Sequence, residues 1–292
     1  MKLSIINDQL YEQLEPSFAC IQKEGYSFVE LHNVFGHSIE DCTKAELEMI
    51  KSLLAKYHLQ VSNLTSTVFF LCPLYKTDQV SLFNPKFYSI HGNLMQHLDA
   101  LKKTCDIAHA LNCRLIRIFP FRWPDNRKGP YGTEEDFSMI IQNIQKAVDI
   151  AKQYDVTLVL ENCPYSHLPK GEMTLRVVKT IHDDHLKLLW DPANSYRAIR
   201  ENVPDVYSHW NLIEELENIY PFIGHIHIKD YHFDAQKRKP FVHVPVNQGD
   251  IPYTKLLRIL EKKKYAGILS LEPEVDIEGS IESMRWLKSM CV

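Results

Sequence analysis

The sequence lacks any apolar run approaching the ~18 residues that a membrane-spanning helix requires. Its first residues, MKLSIINDQL, contain no basic region followed by an apolar stretch and a small-residue cleavage site, so they do not resemble a secretory leader. The seven cysteines are scattered and form no CxxC pair. An odd, scattered set argues against a disulfide framework and indicates reduced thiols. Together these absences predict a cytoplasmic protein.

An excess of positive charge is also missing. The chain has 33 Lys and Arg residues against 37 Asp and Glu residues, which gives a net charge of −4. This balance provides no general attraction for nucleic acid or for an anionic membrane. The basic run Lys237-Arg238-Lys239 is interpreted as a solvated loop. We therefore expect neither nucleic acid nor a membrane as a partner. Whether the chain is a monomer or a homo-oligomer stays open.

What the sequence does contain is a regular alternation of β-rich runs and helical segments. Apolar residues recur with helical spacing in the segments 47–57, 140–151 and 177–181. Runs such as Thr157–Leu160 are apolar at consecutive positions, which is typical of parallel strands covered on both faces. Eight strands are predicted, at Leu3–Ile6, Phe28–Leu31, Gln60–Leu64, Leu115–Phe119, Thr157–Glu161, Leu186–Asp191, Ile223–Ile228 and Ile268–Glu272.

Eight strand–helix repeats without a Gly/Ser linker favour a closed α/β barrel over two dinucleotide-binding halves. No GxGxxG follows any strand, which supports the same choice. A length of 292 residues is ordinary for a (β/α)₈ TIM barrel, which typically takes ~250 residues. We therefore predict one TIM-barrel domain over residues 1–292. The long segment Thr65–Lys86, rich in Phe, Tyr and Pro, is predicted to be a lid.

Polar residues stand where the last four predicted strands end, which is where this fold carries its chemistry. Glu161 ends the fifth strand, Asp191 the sixth and Glu272 the eighth, while His227 lies near the end of the seventh. Each residue alone is explained by a turn cap, an ion pair or a hydrogen-bonded core position. Three carboxylates converging on one barrel mouth, however, repel one another unless a cation neutralises them. The joint pattern therefore predicts one divalent metal site.

The composition of this ligand set bears on the metal. Three carboxylates and one imidazole suit Mn²⁺, Mg²⁺ or Co²⁺ better than a thiolate-rich zinc site would, with Zn²⁺ as an alternative. His225 and His227 are two residues apart and so point to the same side of their strand, into the barrel. His227 is nearer the mouth and is predicted to be the ligand, with His225 one layer deeper.

Short motifs surround these residues along the second half of the chain. In order they are Leu160-Glu161-Asn162, Asp191-Pro192-Ala193-Asn194, Gly224-His225-Ile226-His227-Ile228-Lys229-Asp230, Gly249-Asp250-Ile251 and Leu271-Glu272-Pro273. Their order resembles the xylose isomerase-like TIM-barrel superfamily, which includes ketose 3-epimerases, hydroxypyruvate isomerase, inosose dehydratase and, more remotely, endonuclease IV. The resemblance implies that Glu161, Asp191, His227 and Glu272 bind one divalent metal. It also implies that Glu161 and Glu272 transfer protons on either face of the substrate.

Two departures from the family pattern concern the substrate. Asn194 stands three residues after the aspartate, where epimerases often carry a histidine that contacts the substrate. Asn194 and Phe119 also occupy positions at which the three-metal site of endonuclease IV needs ligands, and His243 is only a partial match. The missing histidines and the acidic charge balance make a nuclease the less favoured interpretation.

Further residues are expected at the barrel mouth. The predicted substrate-binding residues are Glu30, Arg117, Asn194, His243 and Trp123. Glu30 and Arg117 have a competing structural interpretation, in which they pair with each other or Glu30 pairs with Lys229. Lys229 is interpreted as pointing away from the lumen and anchoring a loop.

The paired glutamates favour a metal-dependent isomerase or epimerase of a small sugar or polyol-derived carbonyl compound. Glu161 and Glu272 would form the acid/base pair around a metal-stabilised enediolate. An inosose-type dehydratase begins with the same proton abstraction, so the sequence does not separate the two reactions. An endonuclease IV-like phosphodiesterase is the third alternative. A non-catalytic carbohydrate-binding protein is expected to lack one of the two glutamates, and both are present.

Overall fold

The computed structural model describes residues 1–82, 84, 87–201 and 203–291 of the chain. Eight parallel strands form its centre, and each lies within one residue of its predicted bounds. They are β1 (Lys2–Ile5), β2 (Phe28–Leu31), β3 (Gln60–Leu64), β4 (Leu115–Ile118), β5 (Thr157–Glu161), β6 (Leu186–Trp190), β7 (Ile223–Ile228) and β8 (Ile268–Leu271).

The strands are hydrogen-bonded in the order β1-β8-β7-β6-β5-β4-β3-β2, so neighbours in the sheet are neighbours in the chain apart from the β1–β8 pair. A parallel bridge between Ile6 and Glu30 joins the two ends of this order. The sheet thus curls into a nearly closed barrel. The predicted (β/α)₈ TIM barrel is confirmed, while its extent as a single domain over residues 1–292 stays a prediction.

Helices cover the outside of the barrel. They are α1 (Leu14–Lys23), α2 (Lys44–Lys56), α3 (Leu94–Ala110), α4 (Glu134–Gln153), α5 (Gly171–Ile181), α6 (Pro192–Glu201), α7 (Leu212–Ile219), α8 (Tyr253–Lys262) and α9 (Ile277–Cys291). In α4, the Thr133 side chain caps the first turn, and Ile140, Ile144 and Val148 form the buried face that the apolar spacing predicts. Within the described residues, no helix has the length and apolar character to cross a membrane.

Inside the barrel, polar side chains pair with one another below the mouth. The Ser4 and Ser62 hydroxyls are 2.7 Å apart, and Asn63 Nδ2 donates to Glu30 Oε1 at 2.6 Å. Buried polar groups are stable only when hydrogen-bonded, so these pairs fix the depth at which each side chain sits. They form a polar floor beneath the barrel mouth.

The predicted lid begins as a packed part of the barrel. Residues 65–72 are all buried. Phe69 N donates to His97 Nδ1 at 2.9 Å, and Phe119 N donates to Val68 O at 3.0 Å, so this stretch is tied to the barrel's body. The lid prediction is therefore wrong for residues 65–72, because their aromatic side chains pack inward. Phe83, Pro85 and Lys86 of the same segment lie outside the described residues.

Candidate metal centre and substrate cavity

Four strand ends bring the predicted ligands together at the mouth. Glu161 is the last residue of β5, Asp191 directly follows β6, His227 is the fifth residue of β7, and Glu272 directly follows β8. One ligand atom from each lies within 4.8 Å of the others. Glu161, Asp191 and His227 are buried, and the Glu272 side chain is 13% exposed. The carboxyl ends of neighbouring parallel strands meet at one rim, which is why residues so far apart in sequence converge.

Backbone and amide hydrogen bonds orient Asp191. Its backbone N–H donates to Asn162 Oδ1 at 2.9 Å. Its carboxylate Oδ1 accepts from the backbone N–H of Asn194 at 3.0 Å, in the first turn of α6. The Asn194 side chain in turn donates to Asn162 O at 2.8 Å and to Glu161 Oε1 at 3.3 Å. Asn194 therefore supports two of the candidate ligands.

His227 lies between Glu30 below and two carboxylates above. Its Nε2 is 3.0 Å from Glu30 Oε1, and His225 Nε2 is 2.9 Å from Glu30 Oε2. On the other side, His227 Nδ1 faces Glu272 Oε2 at 3.4 Å and Glu161 Oε1 at 3.8 Å. Glu30 thus pairs with the two histidines, and the predicted alternatives of Arg117 or Lys229 as its partner are wrong. It contacts His225 one layer deeper, on the side away from the cluster.

Two buried, positively charged side chains, Lys229 and Arg117, lie next to the carboxylates. Lys229 Nζ is 3.0 Å from Asp191 Oδ2 and 2.8 Å from Glu272 Oε2. The prediction that Lys229 points away from the lumen is wrong, because it stands two residues after His227 and therefore on the same side of the strand. Arg117 Nη1 is 3.0 Å from Glu161 Oε2, while its other nitrogens donate to the backbone carbonyls of residues 65 and 66.

The charges in this cluster depend on one another. Burial raises the pKa of Asp191 to about 6, with Lys229 opposing the rise. Burial also favours neutral forms of Glu272 and His227, but their neighbours outweigh it. Lys229 and His227 hold the pKa of Glu272 well below its usual range, and Glu30 and Glu272 hold the pKa of His227 well above. His227 and Lys229 therefore carry positive charge against these carboxylates.

The geometry of the four residues fits a divalent cation. Asp191 Oδ2 and His227 Nδ1 are buried, and neither has a hydrogen-bond partner within the described residues. Asp191 Oδ2 has the ion pair with Lys229, and the distances from His227 Nδ1 to the glutamates are long for good hydrogen bonds. Both atoms are ligand types that Mn²⁺ or Zn²⁺ accepts.

A cavity of about 250 Å³ opens above the cluster. Of the predicted substrate-binding residues, Arg117, Asn194 and His243 line it. Glu30 does not, because it lies beneath His227. Trp123 does not line it either, since its ring stacks on Tyr131 with centroids 4.0 Å apart.

Sequence reasoning missed several residues of the cavity wall, including Asp8, His32, Lys229, Tyr231 and Glu274. His32 directly follows β2, just as Asp191 follows β6, so an inspection of all eight strand ends would have found it. Glu274 lies two residues after Glu272, and its Oε1 is 3.3 Å from Lys229 Nζ.

Solved structures of similar fold include a zinc-containing protein, a sugar epimerase and a probable dehydratase. The IolI protein, crystallised with a zinc atom, has a TM-score of 0.71 and 17% identity, over 100% of this chain and 97% of that one. D-psicose 3-epimerase of Clostridium cellulolyticum H10, solved with D-tagatose, has a TM-score of 0.70 and 13% identity, over 100% and 98%. The probable 3-DHS dehydratase AsbF of Bacillus anthracis has a TM-score of 0.69 and 14% identity, over 99% of both chains. At these identities the likeness shows the fold alone.

Sequence comparison identifies one relative that matches about half of the chain and one family that matches most of it. An uncharacterised protein of Methanocaldococcus jannaschii, MJ1311, is 26% identical over 149 residues, which cover 50% of this chain and 46% of that protein. The match thus spans less than half of that relative's length. The sequence profile of the xylose isomerase-like TIM barrel, by contrast, matches residues 18–290. Because that match includes seven of the eight barrel strands and all four clustered residues, the chain belongs to the xylose isomerase-like TIM-barrel family.

Proposed function

We propose that this protein is a metal-dependent isomerase or epimerase of a small sugar or polyol-derived carbonyl compound. The observation that carries the proposal is the placement of Glu161 and Glu272. Both line the cavity, and they approach the same nitrogen of His227 from two different strands. The epimerase and zinc-containing neighbours of similar fold support this choice of chemistry.

The proposed metal ligands are Glu161, Asp191, His227 and Glu272. His227 would bind through Nδ1, since this nitrogen faces the carboxylates while Nε2 faces Glu30. Metal binding then requires His227 to lose its proton and the Lys229 ammonium to move away from the Asp191 and Glu272 carboxylates. When bound, a divalent metal would act as a Lewis acid: it would polarise the substrate carbonyl and stabilise the negative charge that develops on proton removal.

The chain's own residues would move the proton. One of Glu161 and Glu272 removes the proton next to the carbonyl, and the other returns a proton to the product. General acid–base catalysis of this kind contributes about 10²–10⁴-fold to the rate. Arg117 Nη1 lies 3.0 Å from Glu161 Oε2 and 3.7 Å from Glu272 Oε1, so it holds the two carboxylates at a fixed separation.

The second candidate is a dehydratase, which shares the first proton abstraction and then loses a β-hydroxyl as water. One feature of the cavity favours it. His243 Nε2 lies 3.4 Å from Glu274 Oε2 at the cavity wall. Burial lowers the pKa of His243 and favours its neutral ring, so His243 would donate a proton to a leaving hydroxyl only after accepting one during the reaction. A product lighter than its substrate by one water, detected by mass spectrometry, would assign the dehydratase.

A phosphodiesterase of the endonuclease IV type is not favoured. The two candidate ligand groups among the described residues share His227, and the second consists of Glu30, His225 and His227 at the barrel floor. Phe119 and Asn194 line the cavity where additional histidine ligands would be needed. Metal analysis distinguishes the cases, since sugar chemistry needs one ion per chain and the nuclease needs three.

The central test uses Glu161→Gln and Glu272→Gln, with Glu46→Gln as the matched control. Glu46 is also a glutamate that contacts a histidine, His37 at 3.0 Å, but it neither lines the cavity nor belongs to the proposed ligand set. The Mn²⁺-loaded proteins are incubated in D₂O with D-tagatose, D-psicose and D-fructose, and deuterium incorporation at the carbon next to the carbonyl is followed by NMR. We expect incorporation with wild type and with the control, and its loss in both ligand variants. Undiminished incorporation in either ligand variant would remove that glutamate from the proton-transfer pair.

A further inference from the structure

A second group of polar side chains lies at the barrel mouth, on strands that contribute no proposed metal ligand. Asp8 belongs to the 3₁₀ turn Asn7–Gln9 after β1, and His32 and Asn33 directly follow β2. All three side chains line the cavity above the metal cluster. The cavity therefore has a polar wall on the β1–β2 arc, in addition to the charged one formed by β5 to β8.

This wall is held in place by its own hydrogen bonds. Asp8 Oδ2 lies 2.9 Å from His32 Nδ1 and accepts from Asn33 Nδ2 at 2.8 Å, so both side chains meet at one oxygen. The buried Asn7 side chain accepts from His32 N at 2.8 Å and donates to Asn33 O at 2.7 Å. The ring of Phe87 packs 4.7 Å from that of His32. A ligand thus meets a group that is already oriented.

The atoms of Asp8, His32 and Asn33 that form no hydrogen bond are all hydrogen-bond acceptors. A carboxylate oxygen only accepts hydrogen bonds, so the Asp8 contact requires a hydrogen on His32 Nδ1, and in the tautomer with its hydrogen there Nε2 is an acceptor. Asn33 donates through Nδ2, so its Oδ1 is an acceptor as well. His32 Nε2, Asn33 Oδ1 and Asp8 Oδ1 are buried and have no hydrogen-bond partner in the part of the chain that the structure describes. Three unpaired acceptors on one wall call for a ligand that brings donors.

We propose that Asp8, His32 and Asn33 form a subsite that binds hydroxyl groups at the substrate end remote from the metal, and that this end is not phosphorylated. The inference rests on the proposed function and narrows its substrate class to uncharged polyhydroxy carbonyl compounds. Hydroxyl groups donate to all three acceptors. A phosphate group offers further acceptors and negative charge beside the Asp8 carboxylate, which is unfavourable.

The cavity cations agree with an uncharged substrate. Arg117 is engaged by Glu161 and by two backbone carbonyls. Lys229 is engaged by Asp191, Glu272 and Glu274. A phosphate would have to break one of these buried ion pairs to gain a counter-charge, which is costly. Within the described residues, neither cation forms an ion pair with Asp8, whose ion-pair partner is His32.

The test measures binding to the Mn²⁺-loaded protein by isothermal titration calorimetry. The probes are D-tagatose, D-tagatose 6-phosphate and L-erythrulose, a four-carbon ketose that lacks the two terminal carbons of D-tagatose and their hydroxyl groups. His32→Phe removes the acceptor but keeps the packing against Phe87, and Asn33→Ala removes a second acceptor in case the first variant does not fold. His37→Phe is the control, because His37 also pairs with a carboxylate, Glu46 at 3.0 Å, but does not line the cavity.

We expect wild type to bind D-tagatose more tightly than its 6-phosphate. Each subsite variant should weaken D-tagatose binding about tenfold or more, since each removes a buried hydrogen bond. The variants should leave L-erythrulose and Mn²⁺ binding within about twofold of wild type, as should the control. Unchanged D-tagatose binding in the subsite variants, equal weakening for both ketoses, or preference for the phosphate would overturn the subsite. A wild-type protein that binds Mn²⁺ but neither ketose would instead remove the proposed function, and the subsite with it.

Discussion

Replacement of Glu30 by Gln tests how the barrel floor supports the metal centre. Glu30 is fully buried, and its two carboxylate oxygens each contact one histidine, at 2.9 and 3.0 Å. Burial would raise the pKa of Glu30, but His227 and His225 together hold it well below its usual range, so the side chain is a carboxylate. A histidine that binds a metal usually gives its other ring N–H to such a group, which fixes its tautomer and increases its basicity.

The magnitude follows from the role of that contact. Gln keeps the size of the side chain but removes the negative charge, and it turns one of the two acceptor atoms into a donor. Loss of a partner of this kind typically weakens metal affinity about 10–100-fold, which corresponds to roughly 1.4–2.8 kcal/mol. We expect Mn²⁺ affinity of Glu30→Gln to fall within that range, although none of the four proposed ligands is changed.

The assay is calorimetric titration of Mn²⁺ into the purified, chelator-treated proteins. Asp136→Asn is the matched control, because Asp136 is also buried and paired with a cation, Arg127 at 3.0 Å, but does not line the cavity. The control should lose stability and keep its Mn²⁺ affinity. Wild-type affinity in Glu30→Gln, or an equal loss in both variants, would refute the argument that Glu30 acts through His227.

Two further predictions concern charge and stability. Burial opposes ionisation of Asp136, but the nearby His167 ring, 3.5 Å away, and two hydrogen bonds from Arg127 lower the pKa of Asp136 below the unfolded value of about 3.9. Its contribution to stability is therefore present above that pH and is lost as the pH falls below it. Urea unfolding between about pH 5 and pH 2 should show a shallower loss of stability in Asp136→Asn than in wild type, and parallel curves would contradict the assignment. Lys229→Met removes a cation that competes with the metal for two carboxylates, so Mn²⁺ should raise its melting temperature by about 3 °C more than it raises that of wild type, or roughly 1 kcal/mol. An equal or smaller rise would show that Lys229 does not compete.

The strands were predictable because burial on both faces leaves a direct mark on the sequence. Thr157–Glu161 reads as consecutive apolar residues that stop at a charged one, and that stop is the rim of the barrel. The convergence of the strand-end residues follows from the fold, without knowledge of any contact. The same alternation places Lys229 and His227 on the same side of β7, so the sequence alone is sufficient to predict that Lys229 points into the barrel.

Other contacts of the site cannot be predicted from any short sequence pattern. Glu30 meets His225 and His227 across separations of 195 and 197 residues, and the pairing depends on the depth at which each side chain enters the lumen. Alternation tells which way a side chain points, but its depth is set by the stagger of the strands and by the sizes of its neighbours. The contact between Asp8 and His32 depends in addition on a short 3₁₀ turn after β1, which the strand pattern does not predict.

The arrangement of charges changes the reason for placing a metal at this site. From sequence, the repulsion among three carboxylates calls for an added cation. In the folded protein, Arg117, Lys229 and a protonated His227 already supply positive charge to them. Repulsion alone is therefore an insufficient argument. The metal proposal rests on four ligand atoms that lie within 4.8 Å of one another, two of which, on Asp191 and His227, are buried and form no hydrogen bond within the described residues. A metal bound here would replace positive charges that the protein already provides. Metal affinity therefore depends on the ligands and also on two costs: moving the Lys229 ammonium away from the carboxylates and removing the proton from His227.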